Sequence, residues 1–140
     1  MVVALFAAGL ATLAFDYVSK QLVESRLPGR SVAVAPGLAI RLVRNRRSAY
    51  RSTAARSALA IVWLAALAAS ITLYRSGSQF QSPLALTGLG IALGGAAGNL
   101  IDIIARHSIT DFIDFRWWPA FNLADVAILV GLTLALWPAR

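Results

Sequence analysis

The chain has 140 residues, 59% of them hydrophobic and only 14% charged, which argues against a soluble domain and for a membrane protein. It has no cysteine and a single histidine, His107. That excludes disulfides, thiol nucleophiles and cysteine-ligated metals, and argues against a Ser-His-Asp triad or a His-rich metal centre. A formal net charge of +7 points, in a membrane chain, to anionic lipid headgroups rather than nucleic acid.

The first apolar run, "MVVALFAAGLATLAF" (1–15), is short for a span by itself. A helix continuing through "DYVSKQLV" reaches the length of roughly 20 residues that a bilayer requires, so a span is placed at about 1–20. A cleaved signal peptide is the alternative reading. No Lys or Arg precedes the run, however, and no clear small-x-small site follows it. In the long connection 16–56, "SVAVAPGLAIRLVRN" (31–45) has β-branched residues partly alternating around a Pro-Gly turn. This predicts strands over about 30–50, forming a small sheet on the membrane surface. "SALAIVWLAALAASITLY" (57–74) is a second span, followed by the polar turn "RSGSQFQS" (75–82). The third span covers 83–104, and the glycines and alanines of "GLGIALGGAAGNL" suit close helix packing in lipid. Residues 105–119, "ARHSITDFIDFRWWP", read as a connection whose Trp117 and Trp118 fit the membrane interface. "AFNLADVAILVGLTLALW" (120–137) is the fourth span. No repeat or linker is visible, so the expected fold is one all-α integral membrane domain, 1–140, with four transmembrane helices and a small surface sheet between helices 1 and 2.

Four spans put both long connections on one side, with the polar residues Asp16, Asn99, Asp102, Asn122 and Asp125 gathered at that face. Asn99 and Asp102 are three apart, as are Asn122 and Asp125, so each asparagine can orient a carboxylate across from it. Asp111 lies between the two pairs and can fold back onto them. A charged Asp in hydrocarbon costs a few kcal/mol, which demands a compensating role. Residue spacing alone leaves three roles open: helix-helix association, an ion or proton path, and catalysis. For catalysis, two carboxylates in a poorly solvated site cannot both ionise cheaply, and such a pair activates water as acid and base together. Asp16 and Lys20, four apart, read as a stabilising pair at the rim, and Asp114 receives no role.

The chain resembles the lipoprotein signal peptidase (signal peptidase II) family, four-span bacterial aspartyl peptidases. The resemblance rests on "DYVSK" (16–20), "RNRRSAY" (44–50), "GGAAGNLID" (94–102), "ITDF" (109–112) and "FNLAD" (121–125), in the family's order and over almost the whole chain. It implies cleavage of diacylglyceryl-modified prolipoproteins just before the lipidated cysteine, with Asp111 and Asp125 as the catalytic dyad. It implies supporting roles for Asn45, Asn99, Asp102, Asn122 and Ala124, a structural role for Asp16 and Lys20, and a β-cradle after the first span. It implies no metal and no organic cofactor. The chain departs from the family pattern where Arg47 and Ser48 replace a Gly-Ala pair after Asn45, and where Ile103 replaces an arginine after Asp102. Arg106, about one helical turn on, is the available substitute if the third helix continues. A diverged, non-hydrolytic relative that binds lipid or lipidated peptide through the Arg-rich loop is the alternative function. A small proton-linked transporter using Asp102, Asp111 and Asp125 is a third.

Orientation is contested within the sequence. The 16–56 connection holds nine Lys and Arg residues and 105–119 adds Arg106 and Arg116, against only Arg75 and Arg140 elsewhere. The positive-inside rule puts that basic face in the cytoplasm. The family resemblance puts it at the periplasmic or extracellular face of a bacterial inner membrane, and five ordered motifs weigh more than the charge bias. The partners expected are prolipoprotein substrates and anionic headgroups against the Arg-rich 26–56 region, with no nucleic acid. Nothing in the sequence sets an oligomeric state.

Overall fold

Ser82 and Pro83 open the longest buried element of the protein. In the computed structural model, which describes residues 2–46, 51–76 and 82–137, Ser82 Oγ accepts from Ala85 N at 3.1 Å and Pro83 takes the first helical position, where its missing N–H costs nothing. The helices are α1 (Val2–Arg26), α2 (Thr53–Arg75), α3 (Pro83–Arg106) and α4 (Leu123–Ala135). The strands are β1 (Ser31–Ala35), β2 (Leu38–Asn45) and β3 (Ile109–Asp114). Helix α3 packs against α1 and α4 and, over a smaller face, against α2.

Glycine makes that packing close. A Cβ at Gly94 would lie 2.3 Å from Gly9 O, and one at Gly131 would lie 2.5 Å from Gly88 O and from Ala92 N. The backbones of α1 and α4 therefore touch α3 directly, as the small residues of the third span predict. Gly94→Ala forces α1 away from α3, with an expected loss of about 1–3 kcal/mol, readable as a lower Tm of the purified protein.

Helices α1, α2 and α3 are each long and apolar enough to cross a membrane. Their outer surfaces carry exposed Leu10, Phe15, Ile61, Val62 and Leu64, a covering suited to lipid rather than water. Helix α4 has 13 residues, about 20 Å, and is shorter than the span expected over 120–137. Its start is delayed because Phe121 is held extended, bridging to Ile113 of β3 through hydrogen bonds of 2.9 and 3.0 Å. Helix α1 runs on past residue 20 to Arg26, and α3 to Arg106.

The strands form one antiparallel sheet in the order β1-β2-β3. β1 and β2 turn at Pro36-Gly37, where Gly37 takes φ +80°, a conformation that favours glycine. The third strand departs from expectation. Residues 109–114 read as part of a connection, yet they pair with β2, with Asp111 opposite Val43 and Ile109 opposite Asn45. The sheet is therefore not confined to the segment between helices 1 and 2. It ties that segment to the chain between α3 and α4, and so brings Asp111 beside the start of α4.

Candidate active site

Asp111 is buried on β3, and its carboxylate accepts from two asparagines. Asn45 Nδ2, its same-face neighbour on β2, donates to Oδ2 at 3.2 Å, and Asn122 Nδ2 donates to Oδ1 at 2.9 Å. Burial raises the carboxyl from its ordinary 3.8 to about 6. The Asn45 bond opposes that rise, and the nearby Asp125 charge adds to it.

Asp125 stands at the third position of α4 and closes a capping box with Asn122. Asn122 Oδ1 accepts from Asp125 N at 3.1 Å, and Asp125 Oδ2 accepts from Asn122 N at 3.2 Å. Asn99 Nδ2 of α3 donates to the other oxygen, Oδ1, at 2.8 Å. Asn122 Nδ2 also reaches Asn99 Oδ1 at 3.0 Å. The two carboxylates are thus joined through Asn122 and Asn99, each asparagine serving the carboxylate across from it as the spacing predicts. Both open onto a cavity of about 400 Å³ bordered by Asn45, Trp118 and Phe121.

Behind this dyad lies a second polar layer. Lys20 Nζ pairs with Asp16 Oδ2 at 2.6 Å and Asp102 Oδ2 at 3.0 Å, and donates to Asn99 Oδ1 at 3.2 Å. Asp16 Oδ1 accepts from Ala124 N at 3.0 Å, and Asp102 Oδ2 from Thr110 N at 3.2 Å. Asp16 and Lys20 were expected at the rim, but each is only 2% exposed, so they form part of the interior instead. Ala124 is fully buried and its carbonyl faces Gly95 of α3, where a larger side chain has no space. Asp102 contacts Lys20 and β3 rather than the dyad. Among the described residues no group of three His, Cys, Asp or Glu side chains is placed to hold a metal ion.

Glu24 is a site-supporting residue that sequence reading missed. Its Oε1 accepts from Thr110 Oγ1 at 2.9 Å and pairs with Arg44 at 3.3 Å and with Arg106. Arg106 also comes within 3.9 Å of Asp102, so the continued α3 does bring this arginine to the carboxylate that Ile103 cannot meet. One carboxylate therefore joins α1, β2, α3 and the residue next to Asp111. The signal was present: Asp16, Lys20 and Glu24 recur every four residues and share one face of α1. Glu24→Ala is expected to cost about 1–3 kcal/mol, because Arg44, Arg106 and Thr110 lose a charged acceptor; thermal unfolding against Glu24→Gln measures it. Arg41 of β2 pairs with Asp114 of β3 and holds its carboxyl below the usual range. Arg47 and Ser48 lie outside the described residues.

Fold and site together define a membrane protein with paired aspartates where its helices meet a small sheet. Residues 8–139 match the family described as Signal peptidase (SPase) II. The lipoprotein signal peptidase of Rhodococcus jostii (strain RHA1) is 36% identical over 141 residues, covering 93% of this chain and 69% of that protein. That of Syntrophomonas wolfei subsp. wolfei is 37% identical over 129 residues, covering 91% and 86%. A solved structure described as a bacterial membrane enzyme, determined by the in meso method at 1.9 Å resolution, superposes with a TM-score of 0.77. Its sequence identity is 25%, over 93% of this chain and 88% of that one. The chain belongs to the signal peptidase II family.

Proposed function

We propose that this chain is a membrane aspartyl endopeptidase that removes the signal peptide of diacylglyceryl-modified prolipoproteins, cutting just before the lipidated cysteine. Family membership supports the substrate class. The observation that carries the reaction type is the pair Asp111 and Asp125, linked through Asn122 and Asn99 and open to one cavity. The pair holds one proton between its members. The ionised carboxylate takes a proton from water as the water oxygen attacks the scissile carbonyl carbon, while the protonated partner gives its proton to the carbonyl oxygen. Collapse of the tetrahedral intermediate breaks the C–N bond as the proton taken from water passes to the leaving amine. One hydroxyl of the intermediate returns its proton to the carboxylate that donated it, restoring the singly protonated pair.

In this reading Asn45, Asn99 and Asn122 hold the carboxylates, while Asp16, Lys20, Asp102 and Ala124 hold the elements that carry them. The whole of 1–140 acts as one domain of the inner membrane, with its dyad at the periplasmic or extracellular face and anionic headgroups against the Arg-rich 26–56 region. The test is cleavage of a diacylglyceryl-modified prolipoprotein by the purified protein in lipid, under metal chelation, with the cut located by mass spectrometry. A cut before the modified cysteine that survives chelation is expected. A folded wild type that leaves several such substrates intact overturns the reading. For orientation, topology reporters fused after Gly29 and after Arg75 are expected to report the outer and the cytoplasmic side respectively, and the reverse result defeats the assigned face.

A further inference from the structure

The thirteen Lys and Arg residues outnumber the six carboxylates, and the excess is concentrated in one place. Lys20, Arg41, Arg44 and Arg106 pair with carboxylates in or behind the site. Arg46 and Arg51 are exposed and have no carboxylate partner among the described residues. With Arg106 and His107 they line an open bowl of about 440 Å³ where the end of β2, the N-terminus of α2 and the C-terminus of α3 converge. Arg56, on the first turn of α2, ties this region together through His107 Nδ1 and Arg51 O, both at 3.1 Å. Every described side chain lining the bowl is basic.

Beneath the bowl the surface changes character. A mostly apolar cleft of about 270 Å³ runs between α2 and α3 as far as Ile128 of α4, lined by Leu59, Val62 and Trp63 on one side and by Leu93, Leu100 and Ile103 on the other, with Asn99 at its wall. Arg56, Leu59 and Trp63 follow at helical spacing down α2, and His107, Ile103 and Leu100 do so down α3. Basic head and apolar cleft therefore lie along one interhelical groove, at the end of two membrane spans. Trp63 Nε1 donates to Leu93 O at 2.9 Å and fixes one wall of the cleft.

We infer that this groove is a binding site for an anionic phospholipid, with the headgroup phosphate on Arg46, Arg51, Arg106 and His107 and an acyl chain between α2 and α3. A phosphate supplies the counter-charge that Arg46 and Arg51 lack, and arginine is well suited to hold it. A diacylglyceryl-modified peptide brings acyl chains but no phosphate, so the bowl selects a lipid other than the substrate. The inference rests on the proposed placement of these span ends at headgroup level, and not on the hydrolytic role of the dyad. It also gives the basic face a use that does not depend on a cytoplasmic location.

The test is lipid retention by the purified full chain, measured by native mass spectrometry during titration with phosphatidylglycerol or with phosphatidylcholine. Arg46→Gln/Arg51→Gln and Arg51→Glu are compared with Arg75→Gln, exposed at the opposite end of α2. One phosphatidylglycerol per chain is expected to be held in preference to phosphatidylcholine. The double variant is expected to bind it about thirty-fold more weakly, from about 1 kcal/mol per basic residue, with Arg51→Glu weakened and Arg75→Gln unchanged. Retention is expected to persist in Asp125→Asn and under excess inorganic phosphate, so loss of peptidase activity and loss of lipid binding remain separable. Equal retention of the two lipids, unweakened bowl variants or equal weakening by Arg75→Gln overturns the site. Displacement by inorganic phosphate alone does so too, by assigning the bowl to a soluble anion.

Discussion

Asp125→Asn and Asp111→Asn are each expected to lower the cleavage rate by about 10²–10⁴-fold, the range that general acid–base catalysis contributes. Both variants are isosteric, and each keeps one of the two oxygens as an acceptor. An asparagine at 125 can still accept from Asn99 through its oxygen, and one at 111 can accept from Asn122. What is lost is the ability of the pair to exchange a proton with water and substrate. The double variant is expected to be no worse than about the weaker single, because in the proposed reaction the two carboxylates act as a unit. A multiplicative loss would show that they act in separate steps. Full activity in either single variant would remove that residue from the dyad.

Asp111 adds a pH signature with a definite sign. Its carboxyl is raised to about 6 in the folded protein, against 3.8 for the ordinary group. The folded state therefore holds this proton more tightly than the unfolded chain does. The stability so contributed is complete below about 4 and is lost as pH rises through about 6. The gap corresponds to roughly 3 kcal/mol as an upper figure. Asp111→Asn escapes that loss, so its Tm is expected to climb relative to wild type between pH 4 and 6 and to hold the advantage above. An inactive variant that is more stable at neutral pH separates catalysis from folding. Asn45→Ala removes a hydrogen bond that lowers the Asp111 pKa, and is expected to shift the wild-type transition to higher pH.

The membrane helices were legible because apolar length alone marks them, and the asparagine–carboxylate pairs because spacing of three fixes a shared helix face. Strand β3 was not legible. Its six residues carry two aspartates and a threonine, and they gain strand character only by pairing with Leu38–Asn45, far away in sequence. The short α4 was hidden for a related reason. Phe121 is as apolar as the helix that follows, and only its bridge to Ile113 keeps it extended. Burial of Lys20 was obscured because its partners are divided between its own helix and α3, so an i, i+4 reading found Asp16 but not Asp102 or Asn99. Local periodicity identified which polar residues share a helix face, while the contacts between distant segments decided how deep they lie.

Lys20→Met is expected to be the most destabilising single change in the polar interior, at about 3–5 kcal/mol. It leaves Asp16 facing Asp102 at 2% and 5% exposure, with Arg106, 3.9 Å from Asp102, as the remaining cation, and removes a donor from Asn99. Much of that loss comes from the stranded carboxylates rather than from the pair itself. Adding Asp16→Asn and Asp102→Asn removes both charges, and an asparagine oxygen at each position can still accept from Ala124 N or Thr110 N. The triple variant is therefore expected to regain most of the lost Tm. It is also expected to regain cleavage, since Asn122 Nδ2 still meets Asn99 Oδ1 and Asn99 still meets Asp125. Restored Tm without restored cleavage would give Lys20 an electrostatic part in the reaction, acting on Asp125 through Asn99. Recovery of both makes this buried lysine the structural counter-charge of two helices, with the chemistry confined to Asp111 and Asp125.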